Sequence, residues 1–178
     1  MPVNMKSIIA DAYYQQTKQK SVDKITVKDL VEACHISRQT FYYHFRDLQE
    51  VLEWSAQQAL QKALERSEAA PTPEEAMKLL IQATDEQHEL IQKLLRSQKR
   101  ASVEQMMVHV VQAYLVEMFR STAADLSISY GDLAVAIQLY SIGIAGILLQ
   151  YSGRRDRDAD QLAAQLCRLL SGHCLRQP

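Results

Sequence analysis

The twenty residues from Thr26 to Phe45, TVKDLVEACHISRQTFYYHF, constrain this chain more than any other stretch, because they spell two short helices joined by a tight turn. Thr26 is placed to cap a helix, and Asp29 three residues on completes a capping-box-like pair that satisfies the first free N–H groups. Val27, Leu30, Val31 and Cys34 recur at helical spacing and give that helix one apolar face. His35-Ile36 is a break. Ser37 then caps a second helix, RQTFYYHF, whose Phe41 and Phe45 share a face at i and i+4. Arg38, Gln39, Thr40, Tyr42, Tyr43 and His44 are left as a polar and aromatic set, several of them directed outward. Two helices crossing over such a turn, with donors and rings on the second, suit entry into the DNA major groove.

Charge is distributed in the same sense. Residues 1–46 carry seven Lys/Arg against four Asp/Glu, which leaves thirteen basic and seventeen acidic residues for the rest. A basic head on an acidic body points to a polyanion partner for the head alone, and two heads on a dimer would bind better than one. At 178 residues the chain can build one substantial core or two small ones. Few glycines and prolines, and long runs of Ala, Leu, Gln, Glu, Lys and Arg, predict an all-α fold.

The helices are expected from about residue 3 or 4 to Lys18, through the two motif helices, then from Asp47 to about Arg66. Ala69 to Pro73 is the clearest break, and Thr72, Pro73 and Glu75 make a strong helix start. That helix is expected to bend or break near Asp85 and to end in the basic run Arg96 to Arg100. A helix from Ser102 to about Ala124 follows, then one opened by Ser129 and Asp132 and stopped at Gly153. Asp158 and Gln161 open the last, ended by Gly172. The domains are thus a DNA-binding head, residues 1–46, and a helical body, residues 47–178.

The segment Leu133 to Tyr151 is apolar nearly all round. Gln138 and Ser141 interrupt it, so a buried helix rather than a membrane span is expected, and MPVNMKS lacks the apolar core of a secretory signal. Ser141, Gly143 and Gly146 offer small faces for close approach, and Leu162, Leu166 and Leu169 line the apolar side of the final helix. The simplest cover for both is the same helix pair of a second subunit, giving an isologous homodimer. Three cysteines fit a reducing cytoplasm better than a disulfide framework.

The motif, read through Thr26, Val27, Leu30, Val31, Cys34, His35, Ile36, Ser37, Gln39, Thr40, Tyr42, His44 and Phe45, resembles the N-terminal domain of the TetR/AcrR family of bacterial transcriptional regulators. The wording around it is also similar to a subgroup typified by the activator of dihydroxyacetone kinase operons. The chain departs from the pattern at His35 and Gln39, where glycines are usual, and at Leu48, where a lysine commonly contacts phosphate. The resemblance implies an N-terminal three-helix DNA-binding domain and a C-terminal helical bundle that dimerises. It implies DNA contacts from Thr26, Ser37, Arg38, Gln39, Thr40, Tyr42, Tyr43 and His44. Arg38 and Gln39 are placed for base edges, since Arg pairs with guanine and Gln with adenine. Thr26, Thr40, Tyr42, Tyr43 and His44 are placed to fix register on phosphates.

Trp54, Met77, His88, Met106, His109, Tyr114, Met118 and Tyr140 form a soft, aromatic-rich inventory in the body. For each, core packing competes with lining a pocket for a small apolar or amphipathic effector, which family members usually hold. Cys167, His173 and Cys174 fit no standard zinc spacing, and neither metal nor cofactor is expected. No nucleophile–base pair, phosphate loop or carboxylate pair suggests catalysis. The expected function is a ligand-responsive repressor acting on a double-stranded pseudo-palindromic operator. The alternatives are an activator working with a ligand-sensing partner protein, or a helical interaction protein that no longer reads DNA.

Overall fold

A computed structural model of the chain describes residues 4–120 and 129–170. Among these residues the chain forms nine α-helices, one 3-10 turn and no strand. They are α1 (Met5–Gln19), α2 (Val27–Ala33), α3 (Arg38–His44), α4 (Leu48–Glu68), α5 (Pro73–Glu86), α6 (His88–Leu95), α7 (Arg100–Arg120), α8 (Tyr130–Tyr151) and α9 (Ala159–Leu170). The turn, Val22–Lys24, sits between α1 and α2, and it buries Val22. The expected helix ends at Ala124 and Gly172, together with His173 and Cys174, lie outside the described residues.

Helix starts follow local capping chemistry. Ser37 Oγ accepts from Thr40 N at 3.0 Å, Asp47 Oδ1 from Glu50 N at 2.9 Å, and Thr72 Oγ1 from Glu75 N at 3.2 Å. Ser129 Oγ accepts from Asp132 N at 3.1 Å, and Asp158 Oδ1 from Gln161 N at 2.9 Å. Each satisfies an amide that the helix itself leaves free. The break near Asp85 falls at Gln87, which separates α5 from α6. There the Arg157 guanidinium reaches Asp85 at 2.6 Å, and a His88 ring nitrogen lies 2.7 Å from the Asp85 carbonyl.

Two apolar cores result. The first joins Ile9 and Tyr13 of α1, Leu30 of α2, and Phe41 and Phe45 at α3 to Val51 and Leu52 of α4. Leu94 of α6 and Val103 of α7 complete it, so the packing of the head crosses residue 46 into the body. The second holds Met77, Leu80 and Ile81 of α5, Val111, Tyr114 and Leu115 of α7, Ile144 and Leu148 of α8, and Leu166 of α9. α7 packs along α8, and α9 along α5.

α8 is long and apolar enough to cross a membrane by length and composition, with a mean hydropathy of 1.8 over its most apolar window. One side of it, with Ser141, Ile144, Ala145 and Leu148, is buried within the subunit. The opposite side leaves Val135, Leu139 and Ile142 exposed at 67%, 66% and 55%, and Ile147 and, on α9, Leu169 are exposed as well.

Candidate nucleic-acid interface and cavity

The start of α2 is a complete capping box. Asp29 N donates to Thr26 Oγ1 at 3.3 Å, and Thr26 N donates back to Asp29 Oδ2 at 2.7 Å. The same carboxylate oxygen accepts from the Thr26 hydroxyl at 2.7 Å and meets Lys20 Nζ at 2.6 Å. Hydrogen bonds from Lys20 and Thr26 hold the Asp29 carboxyl down at about 2. Thr26 is therefore exposed at the surface of the head, with its hydroxyl committed to the cap.

The turn after α2 closes with Ile36 N on Val31 O at 3.0 Å and His35 N on Glu32 O at 3.3 Å. This is the bond pattern of a Schellman motif, which needs a left-handed residue just past the helix. His35 supplies it with φ 54°, the single positive-φ non-glycine residue among those described. Glycine's usual place is thus filled without a change of backbone geometry.

α3 is sorted by its apolar face. Phe41 and Phe45 are buried, their rings 6.2 Å apart, and Phe45 packs edge-on against Trp54 of α4 at 6.1 Å. That anchoring turns the other residues outward. Ser37, Arg38 and Gln39 are exposed, Tyr42 and Tyr43 are 56% and 85% exposed, and Thr40 and His44 are half-buried. Ser37 Oγ and Thr40 Oγ1 lie 2.9 Å apart, so both hydroxyls take part in capping α3. Leu48 packs against the first core. The exposed set combines a fork of donors at the helix N-terminus with two rings farther along. That composition can read base edges and grip phosphates.

A cavity of about 550 Å³ opens between α1, α4, α5, α6 and α7. Of the residues singled out in the sequence as an effector pocket, Trp54 and Met106 line it and the other six do not. Met77 and Tyr114 are fully buried in the second core, where the Tyr114 hydroxyl is engaged by Ser67 and the Ala76 carbonyl. Burial pushes the Tyr114 phenol up. Met118 and Tyr140 pack against the same core. His88 belongs to the polar joint with Asp85 and Arg157, and His109 is exposed. The cavity lies nearer the head than methionine and aromatic content suggests, because residues from Ser7 to Val110 converge on it. Tyr13 and Tyr14 of α1 were missed for that reason, since no local signal marks them. Burial, with Asp23 nearby, lifts the Tyr13 phenol to about 12, so it stays neutral.

Of the residues proposed from sequence for a subunit contact, Ser141 and Leu166 are buried inside the subunit. There the Ser141 hydroxyl donates to Ile137 O at 2.6 Å. Gly143 is exposed, and a Cβ added at Gly143 or Gly146 would meet nothing within 4 Å. Leu162 is half-buried and Leu169 exposed. Among the described residues no group of three His, Cys, Asp or Glu side chains is placed to hold a metal ion.

Residues 9–53 match the description "Bacterial regulatory proteins, tetR family". Residues 71–172, more than half the chain, match "Transcriptional regulator C-terminal region". No curated protein matches the sequence. Among solved structures, the dihydroxyacetone kinase operon activator DhaS is 19% identical, with a TM-score of 0.72 covering 96% of each chain. The TetR-family repressor AlkX from Dietzia sp. strain DQ12-45-1b is 20% identical, with a TM-score of 0.57 over 94% of this chain and 96% of that one. FadR of Thermus thermophilus, a TetR-family transcriptional repressor solved in complex with lauroyl-CoA, is 15% identical, with a TM-score of 0.60 over 97% and 96%. At such identities the likeness is one of fold.

Proposed function

The chain belongs to the tetR family of bacterial regulatory proteins, and we propose that it works as a cytoplasmic homodimer that represses transcription at a pseudo-palindromic operator until a small molecule releases it. The observation that carries this reading is the two-sided character of α3. Phe41 and Phe45 fix it to the head, while Arg38, Gln39, Tyr42 and Tyr43 stand free for a duplex. Arg38 and Gln39, in the first turn of the helix, take base edges. Tyr42, Tyr43, Thr40, His44 and Ser37 set register on the backbone, while Thr26, its hydroxyl held in the cap, fixes the start of α2. The exposed row on α8, with Leu169 of α9, pairs two subunits so that two heads address successive major-groove faces about 34–36 Å apart.

The cavity is the effector site. Trp54 forms part of its wall and packs on Phe45, so an occupant that moves Trp54 bears on the end of α3. An effector that prefers the moved arrangement shifts the population of dimers away from DNA.

The test is a mobility shift with the chain's own upstream region. Sequence-specific binding should fall with salt as phosphate contacts require, and Arg38→Ala should lose about 1–3 kcal/mol of discrimination at its base pair. Tyr42→Ala should weaken binding across all sequences. Absence of specific binding at low salt would favour the interaction-protein reading. Activation is the second reading of the regulatory sign, favoured by the whole-chain fold shared with the dihydroxyacetone kinase operon activator. A reporter fused to the same upstream region, in cells with and without the protein, separates the two.

A further inference from the structure

The cavity's wall is not confined to the body. Ser7, Ala10 and Tyr14 of α1 close one side of it, facing α4 and the α5–α7 segment. Four charged residues line it, Asp11, Lys62, Arg66 and Glu86, and all four are exposed, which places them at the mouth. Two are acidic and two basic, so the mouth offers no net charge to a ligand, and Arg66 and Glu86 already meet at 3.6 Å. No histidine lines the cavity. Deeper in, Ser55 Oγ donates to Val51 O at 2.8 Å and Thr84 Oγ1 to Leu80 O at 3.0 Å, which leaves the buried, unpartnered Tyr13 hydroxyl as a neutral polar group in the wall. Trp54 and Met106 present apolar surface. An ionised group carried inward would be desolvated with no opposite charge beside it, whereas an uncharged hydroxyl could bond Tyr13.

We propose that this cavity takes an uncharged, largely apolar ligand that touches the DNA-reading head directly through α1 while it touches the body. The inference rests on the effector reading above for its regulatory consequence, and adds the ligand's chemistry and its contact with the head. A ligand held in this way acts on α1 without relying on α4 alone to carry the change.

Trp54 is the chain's single tryptophan and sits in the wall, so its emission reports occupancy in the intact protein without DNA. The probes are 1-decanol, decanoate and decyltrimethylammonium, all kept below aggregation. Decanol should shift Trp54 emission saturably, at a concentration at least tenfold lower than either charged probe. Ser7→Phe on the head side and Ala83→Phe on the body side should each weaken decanol binding at least tenfold. If Ser7→Phe lowers the melting temperature by more than a few degrees, Ala10→Leu replaces it. Loss of binding in the Ala83 variant alone would overturn contact with the head. Equal or tighter binding of a charged probe would overturn the ligand class, and no saturable change with any probe would remove the site. A protein that binds decanol yet fails to shift operator DNA would count against the regulator reading and leave this one standing.

Discussion

His35 and Asp29 show how much of the DNA-reading head is fixed by single residues. The left-handed backbone at His35, φ 54°, carries a side chain where glycine would do, at a cost of roughly 1–2 kcal/mol for an L-residue. His35→Gly relieves that strain but gives the unfolded chain more freedom to lose. The net expectation is a stabilisation of about 0.5–1 kcal/mol, seen as a melting temperature about 1–4 °C higher. A lower melting temperature would show that the imidazole makes a contact worth more than the strain. Asp29 tests the cap. Its carboxyl titrates at about 2 in the folded protein, against about 3.9 when unfolded. Its contribution is therefore complete above about pH 4 and is lost as the pH falls from about 4 to 2. The Lys20–Asp29 pair is partly open to water, so screening keeps the effect near or below about 1 kcal/mol. The stability gap between the parent and Asp29→Ala, followed by denaturant titration, should narrow through that window, and a gap constant from pH 7 to 2 would refute the assignment.

Among the elements, α6 and the turn after it tie the body to the head by hydrogen bonds. Lys93 Nζ donates to Thr17 O at 2.8 Å in the last turn of α1, and Gln98 N, just past α6, donates to Asp23 Oδ1 at 3.2 Å. Leu94 enters the head's core between them in sequence. Lys93→Met keeps the apolar stem and removes the hydrogen bond, a loss of about 0.5–1 kcal/mol for a contact this open to water. Amide exchange should quicken in the last turn of α1 and stay unchanged at Phe41 and Phe45, whereas uniform quickening would mean that the head unfolds as one piece. Elements were legible in the sequence where the signal is local. Thr26, Ser37, Asp47, Thr72, Ser129 and Asp158 announce six helix starts, because a cap needs only its own neighbour three residues on. The outward set on α3 was legible for a similar reason, since two phenylalanines at i and i+4 settle the phase. The phase of α8 was not, because a helix apolar nearly all round has no contrast from which to read it. Ser141 thus turns inward, while Val135, Leu139 and Ile142 face out. The cavity was illegible for a different reason: its wall is assembled from five helices, and Ala10 or Tyr14 acquires meaning only when α4 and α7 arrive opposite.

At the scale of the whole molecule, the question is what covers the outer side of α8. Val135, Leu139 and Ile142 follow one another at steps of four and three, so they form a continuous row, and Gly143 and Gly146 leave open space beside it. Burying a leucine or isoleucine is worth about 1.5–3 kcal/mol, and a two-fold axis counts every contact twice. In the dimer proposed above, a second copy laid on this row would remove its apolar surface from water and bring two weakly basic heads onto one duplex. Leu139→Arg places a charge at the centre of the row in both subunits and should yield a folded monomer, seen by sedimentation or light scattering against an unchanged helical circular dichroism signal. Because each head alone carries an excess of only three positive charges, the monomer loses the gain of tethered binding, commonly about 10²–10⁴-fold. Apparent operator affinity should therefore drop by at least about a hundredfold, with Arg38 and the rest of α3 untouched. A Leu139→Arg protein that stays dimeric and keeps its operator affinity would move the subunit contact elsewhere and leave the row on α8 for another partner. Monomers with full affinity would instead show that one head suffices, against everything its small charge implies.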